Sequence, residues 1–119
     1  MKGKKVLVID DEDYIRDLIK DFLSIKGVAC EEAENAGSAI RLINENHFDL
    51  ILLDRNLEKR TAEEVIGDIR NVAETTPIVL LTGDQGFSEE YVRNMGMNGI
   101  IFKPFQIEAF FATIKKFLE

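Results

Sequence analysis

Two hydrophobic periods alternate along the chain. Short continuous apolar runs stand at Val6–Ile9, Leu50–Leu53, Ile78–Leu81 and Ile100–Phe102, with a weaker one across Val28–Ala33. Runs that are apolar at every position suit strands covered on both faces. Between them the spacing becomes helical. Ile15, Leu18, Ile19, Phe22 and Leu23 share one helical face, and Gly27 stops that helix. Ala39, Ile40, Leu42 and Ile43 mark a second helix. Thr61-Ala62-Glu63-Glu64 has the form of a capping box ahead of Val65, Ile66, Ile69 and Val72, and Pro77 then turns the chain out of helix. Ser88 is placed to cap a shorter helix carrying Val92 and Met95 and ending at Gly96. The last helix carries Ile107, Phe110, Phe111, Ile114 and Leu118, with Lys115 and Lys116 set against its C-terminal dipole.

Five strands alternating with five helices predict parallel βα units, and right-handed crossovers then put helices on both faces of the sheet. The expected fold class is α/β, a doubly wound five-stranded parallel sheet, and residues 1–119 read as a single domain. No repeat or Pro/Gly/Ser-rich linker interrupts the pattern, and the chain stops soon after its last helical stretch. It therefore reads as free-standing.

Composition narrows the functions. The net charge of −7 argues against a nucleic-acid-binding module, which needs a basic face. Lys2, Lys4 and Lys5 read as a solvated tail. Cys30 is the only cysteine, so no disulfide can form within the chain, and a reducing compartment fits. No apolar run approaches the roughly 20 residues of a membrane span, and no export signal opens the chain, so the expectation is a cytoplasmic protein away from the membrane.

Chemistry is expected beyond the carboxyl ends of the strands, where open α/β sheets bind ligands. The first polar residues after the apolar runs are Asp10 and Asp11, Asp54, Thr82, and Lys103 followed by Pro104. Two carboxylates about 4 Å apart repel by roughly 4 kcal/mol at an effective dielectric of 20. Three of them on one rim call for a bound proton or a cation. Oxygen ligands without histidine or cysteine favour magnesium, manganese or calcium over zinc. Lys103 offers a compact positive charge and Thr82 a hydroxyl donor, a pair suited to phosphoryl oxygens. Asp54, alone at the end of a central strand, is the better nucleophile candidate, since an aspartate carboxylate can form an aspartyl-phosphate. Glu12 reads as solvated, Asp13 as a cap or first-turn acid, and His47 as a loop residue with no second histidine to share a metal.

Carried by "VLVIDDED", "DLILLDRNL", "VLLTG" and "GIIFKPF" in this order and spacing, the chain resembles the receiver domain of two-component response regulators over essentially its whole length. The resemblance implies the flavodoxin-like strand order 2-1-3-4-5. It implies Asp54 as phosphoacceptor, taking a phosphoryl group from the phosphohistidine of a histidine kinase or phosphotransfer protein. It also implies Mg2+, with Mn2+ able to substitute, held directly by Asp11 and Asp54, through water by Asp10, and by the main-chain carbonyl of Asn56. Thr82 becomes the switch hydroxyl, Lys103 the phosphoryl-binding cation and Lys103–Pro104 a cis peptide. The side chains of Asn56 and Asp84 would tune hydrolysis. A downstream protein would dock on the face of helix 4, strand 5 and helix 5, where some of Phe102, Phe105, Phe110 and Phe111 could surface. Such a domain promotes its own phosphorylation and hydrolysis but turns over no separate substrate.

There are departures from the family pattern. Glu58 and Ala62 stand where the family usually has Pro and Gly, within the charged stretch "RNLEKRTAEE", and Ile100 occupies the aromatic switch position. Two alternatives follow. A pseudo-receiver would bind partners without phosphorylation. A magnesium phosphohydrolase would use Asp11 and Asp13 as a D-x-D pair, but it would need a longer chain and a later acidic pair.

Overall fold

The computed structural model describes residues 2–119. Its main sheet comprises β1 (Lys5–Ile9), β2 (Ala29–Ala33), β3 (Leu50–Asp54), β4 (Ile78–Thr82) and β5 (Gly99–Phe102). Helices α1 (Asp13–Ile25), α2 (Ala36–Glu45), α3 (Ala62–Val72), α4 (Glu89–Asn94) and α5 (Ile107–Leu118) alternate with the strands. All neighbouring strand pairs are parallel, in the order β2-β1-β3-β4-β5. This is the predicted doubly wound sheet.

Alternation of side chains along each strand divides the apolar runs between two cores. Leu7, Ile9, Ile51, Leu53, Ile78 and Leu80 pack on the side of α2, α3 and α4, together with Ala39, Val65, Ile69 and Val92. Val6, Val8, Leu50, Leu52, Val79 and Leu81 face α1 and α5, meeting Ile19, Leu23, Phe110 and Ile114. Both faces being covered, every residue of β3 and β4 is buried. β2 is an edge strand whose Cys30, Glu31 and Glu32 are only half-buried, which is why its apolar signal is weak.

Local signals set the element ends. Gly27 adopts φ 77°, a conformation that costs a residue with a Cβ, and turns the chain from α1 towards β2. Ser88 caps α4 by accepting from the Tyr91 amide at 3.1 Å, and the Glu64 carboxylate reaches back to the Thr61 amide at 2.9 Å. Asn35, which drew no attention in the sequence, caps α2 by accepting from the Ser38 amide at 2.9 Å.

One feature differs from expectation, and a second has no counterpart in the sequence pattern. Lys5, expected in a solvated tail, opens β1 and donates to Asn46 Oδ1 at 2.9 Å, because Asp49 accepts its amide and draws it into the sheet. The charged stretch after β3 folds as a small antiparallel ribbon, with Asn56 paired to Thr61 and Leu57 to Arg60. Its inward residue Leu57 is buried, while Glu58, Lys59 and Arg60 remain exposed.

Candidate functional site

The strand ends bring an ion cluster together. The Lys103 ammonium, just past β5, donates to Asp10 Oδ2 at 3.0 Å and to Asp54 Oδ1 at 3.1 Å. Asp10, Asp54 and Thr82 are buried, whereas Asp11 and Lys103 are half-buried. The Lys103–Pro104 peptide is cis.

Asp10 is tied at every polar atom. Its amide donates to Ala33 O at 3.1 Å, and its carbonyl accepts from Arg16 Nη1 at 2.6 Å. Its Oδ1 accepts from the Glu12 amide at 2.9 Å, and its Oδ2 takes Lys103. A carboxylate engaged at both oxygens orients its neighbours more than it offers free lone pairs. Asp11 is the freer acid. It lines a cavity of about 390 Å³ together with Asn35, Leu57, Glu58 and Arg60.

Burial, and then the charge of Asp10, push the Asp54 carboxyl up to about 6 against the pull of Lys103. Burial alone would lower Lys103, but its hydrogen bonds and charge contacts with Asp10 and Asp54 hold it above its ordinary value. Asp10 and Asp54 thus share a single ammonium while Asp11 adds a third negative charge near Asp54, an excess that suits a divalent cation. Carboxylate oxygens of Asp10, Asp11 and Glu12 lie within 4.8 Å of one another, an all-oxygen donor set of the kind magnesium takes. Glu12, expected to be merely solvated, is exposed yet belongs to this group. Asp54 joins the acids through Lys103.

Other expected residues lie at the margins. Thr82 ends β4, and its hydroxyl oxygen accepts from the Asp84 amide at 3.0 Å. Asp84 is exposed, and its carboxylate holds a local turn by accepting from the Gly86 amide at 2.8 Å. Asn56 is exposed at the start of the ribbon, with its side-chain oxygen accepting from Arg55 Nη1 at 2.9 Å. Ile100 is half-buried in β5, packed against the core on the α2–α4 side. Asp13 opens α1 and pairs with Arg16, and exposed His47 pairs with Asp49 at 3.2 Å. Of the phenylalanines expected near the partner face, Phe110 is fully buried and Phe102, Phe105 and Phe111 are half-buried.

Two arginines escape the strand-end rule. Arg16 is buried in α1, where its D-x-x-R spacing from Asp13 is the only local signal. Arg55 follows Asp54 directly and reaches both the start of α3 and the loop before α4. Its Nη2 donates to Glu63 Oε2 at 3.0 Å, and its guanidinium lies 5.5 Å from the Phe87 ring centroid. Phe87 in turn meets Tyr91 of α4 at 5.3 Å between centroids. Arg55 Nε and Glu63 Oε1 are buried without a hydrogen-bond partner among the described residues.

Known proteins are similar to this chain in sequence and fold. A model of the response regulator receiver domain family matches residues 6–115. The autoinducer 1 sensor kinase/phosphatase LuxN of Vibrio campbellii is 33% identical over 104 residues, covering 87% of this chain and 12% of that protein. A two-component response regulator from Clostridium difficile superposes with a TM-score of 0.89 at 32% identity, covering 98% of this chain and 96% of that one. The response regulator TrrA of Thermotoga maritima, solved in complex with Mg2+–BeF, superposes with a TM-score of 0.83 at 29% identity, covering 96% of this chain and 98% of that one. The chain spans half or less of the length of the curated relatives it matches. Among the described residues no helix is long and apolar enough to cross a membrane. With an acid pair after β1, an acid after β3, a hydroxyl after β4 and a lysine after β5, this chain belongs to the response regulator receiver domains of two-component systems.

Proposed function

We propose that residues 1–119 act as one phosphoacceptor domain, receiving a phosphoryl group on Asp54 from the phosphohistidine of a histidine kinase or phosphotransfer protein. The observation that carries this reading is the Lys103 ammonium shared between Asp54 and Asp10 on a buried rim. An Asp54 oxygen attacks phosphorus, forming the O–P bond as the P–N bond to imidazole breaks and the imidazole nitrogen keeps the electron pair. Asp54 must be ionised to attack, and a carboxyl pushed up to about 6 is mostly ionised at neutral pH.

Lys103 neutralises charge on the transferring group, and the Thr82 hydroxyl donates to one of its oxygens. Asp11, Asp54 and the main-chain oxygen of Asn56 would hold magnesium or manganese, with Asp10 beside them, already bound to Lys103 and the Glu12 amide. The bound cation supplies positive charge to the carboxylates and the phosphoryl oxygens. The side chains of Asn56 and Asp84 set how readily water reaches the aspartyl-phosphate. The domain acts in the cytoplasm, turns over no separate substrate, and signals to a downstream protein through the surface of α4, β5 and α5.

Ile100 favours a second reading, a pseudo-receiver that works without phosphorylation, since a branched aliphatic cannot swing a ring between buried and exposed positions. Labelled acetyl phosphate with magnesium separates the two. Wild type should take up label and Asp54→Asn should take up none. An unlabelled wild type that still captures its partner would establish the pseudo-receiver.

A further inference from the structure

We propose that Arg16 is a positioning residue for the acid pair, clamping the turn after β1 so that Asp11 offers its carboxylate to a divalent cation with Asp10 held beside it. This rests on the reading above, that these acids hold the cation. Arg16 is only 7% exposed, and a buried guanidinium persists only when its donors are satisfied. Its three nitrogens go to three different segments. Nη1 donates to the main-chain carbonyl of Asp10 at 2.6 Å, Nε to Glu32 Oε1 of β2 at 2.8 Å, and Nη2 to the Asp13 carboxylate. Glu32 is fixed from the other side by Lys20, whose ammonium donates to Oε2 at 2.6 Å.

The bond to Asp10 decides the role. It falls on the carbonyl and leaves the carboxylates of Asp10, Asp11 and Glu12 clear of the guanidinium. An arginine serving only to neutralise these acids would pair with their side chains. This one instead joins the edge strand and the first turn of α1 to the peptide that links Asp10 to Asp11. The 3.1 Å bond from the Asp10 amide to Ala33 O holds the preceding peptide to the same edge strand. The turn is gripped on both sides of the acid.

The sign of one measurement separates positioning from simple charge. Removing a cation beside three acids strengthens magnesium binding if Arg16 acts only through its field. If it positions the turn, binding weakens. Wild type, Arg16→Met and Arg16→Lys are titrated with Mg2+ by calorimetry, with the amide resonances of residues 10–12 followed by NMR. Arg16→Met should raise the magnesium Kd about tenfold, the lower range for losing a residue that orients metal ligands. Arg16→Lys keeps the charge but lacks the planar fork, and should raise it several-fold. Unchanged or tighter binding in folded variants would overturn the proposal, as would outright unfolding of both, which would place Arg16 in the service of the core. A wild type that binds no magnesium would overturn the reading of the acids themselves, and the role of Arg16 with it.

Discussion

The two flanks of Asp54 are built on different principles. On the β1–α1 flank, each polar atom of Asp10 has a partner and a buried arginine ties the turn to the neighbouring strand. On the β3–α3 and β4–α4 flank, a charged ribbon stands exposed, and Arg55 and Glu63 meet through one hydrogen bond while Arg55 Nε and Glu63 Oε1 lack partners. At Asp10 and Arg16 the first flank is satisfied and closed, while Asp11 opens onto the cavity. The second is joined by a cation–π contact and an aromatic pair. The contrast sets Asp54 beside a turn bonded through every polar atom of Asp10 and leaves the surface towards α4 with fewer such ties.

The sharpest way to break this contrast is to remove the ion that serves the closed flank. Lys103→Met leaves Asp10 and Asp54 buried beside each other without a counter-charge. The metal-free domain should lose about 3–5 kcal/mol in urea melts at pH 7.5, and saturating magnesium should restore part of the loss. Unchanged stability would mean that water reaches the carboxylates.

Next in size is the titration of Asp54. Its folded-state value of about 6 lies above the ordinary 3.8, so folding favours the protonated form. The associated stability is fully present below the ordinary value and is lost as pH rises through about 6. Metal-free Asp54→Asn should therefore gain on wild type across that window, reaching up to about 3 kcal/mol at pH 7.5 for a shift of roughly two pKa units. Parallel stability curves from pH 4 to 7.5 would contradict the placement of Asp54 beside Asp10 in a dry rim.

The open flank should respond least. Phe87→Leu removes the ring between Arg55 and Tyr91 while retaining apolar volume, and should cost about 1–1.5 kcal/mol. Its phosphoryl uptake should match wild type, because the aromatic contacts of Phe87 are to Arg55 and Tyr91. Label incorporation that falls with Phe87 would mean that the flanks are not separate.

The same contrast explains what could be read in advance. Continuous apolar runs announce strands covered on both faces, and the rule that ligands gather beyond strand ends picks out Asp10, Asp54, Thr82 and Lys103 from positions far apart in the chain. β2 is faint because Glu31 and Glu32 stand within it, Glu32 being taken up by Arg16 and Lys20. Arg16 is not legible, since it sits on a helix and its decisive partner is a main-chain carbonyl, which no side-chain pattern records. Arg55 and Phe87 are hidden because their meeting depends on how two loops fold over each other. The ribbon from Asn56 to Thr61 is equally local, and its charges look like an ordinary solvated loop. Glu12 joins the acid group only because the turn after Asp10 folds its backbone onto Oδ1.

The central claim is that Asp54 itself carries the phosphoryl group. Borohydride reduces an acyl phosphate to a primary alcohol, so phosphorylated domain treated with it should yield homoserine at position 54. Peptide sequencing by mass spectrometry reads that position directly. Homoserine at 54 and at no other acidic position is the expected result; aspartate retained at 54 in protein that has taken up label, with homoserine at Asp10, Asp11 or elsewhere, would contradict it.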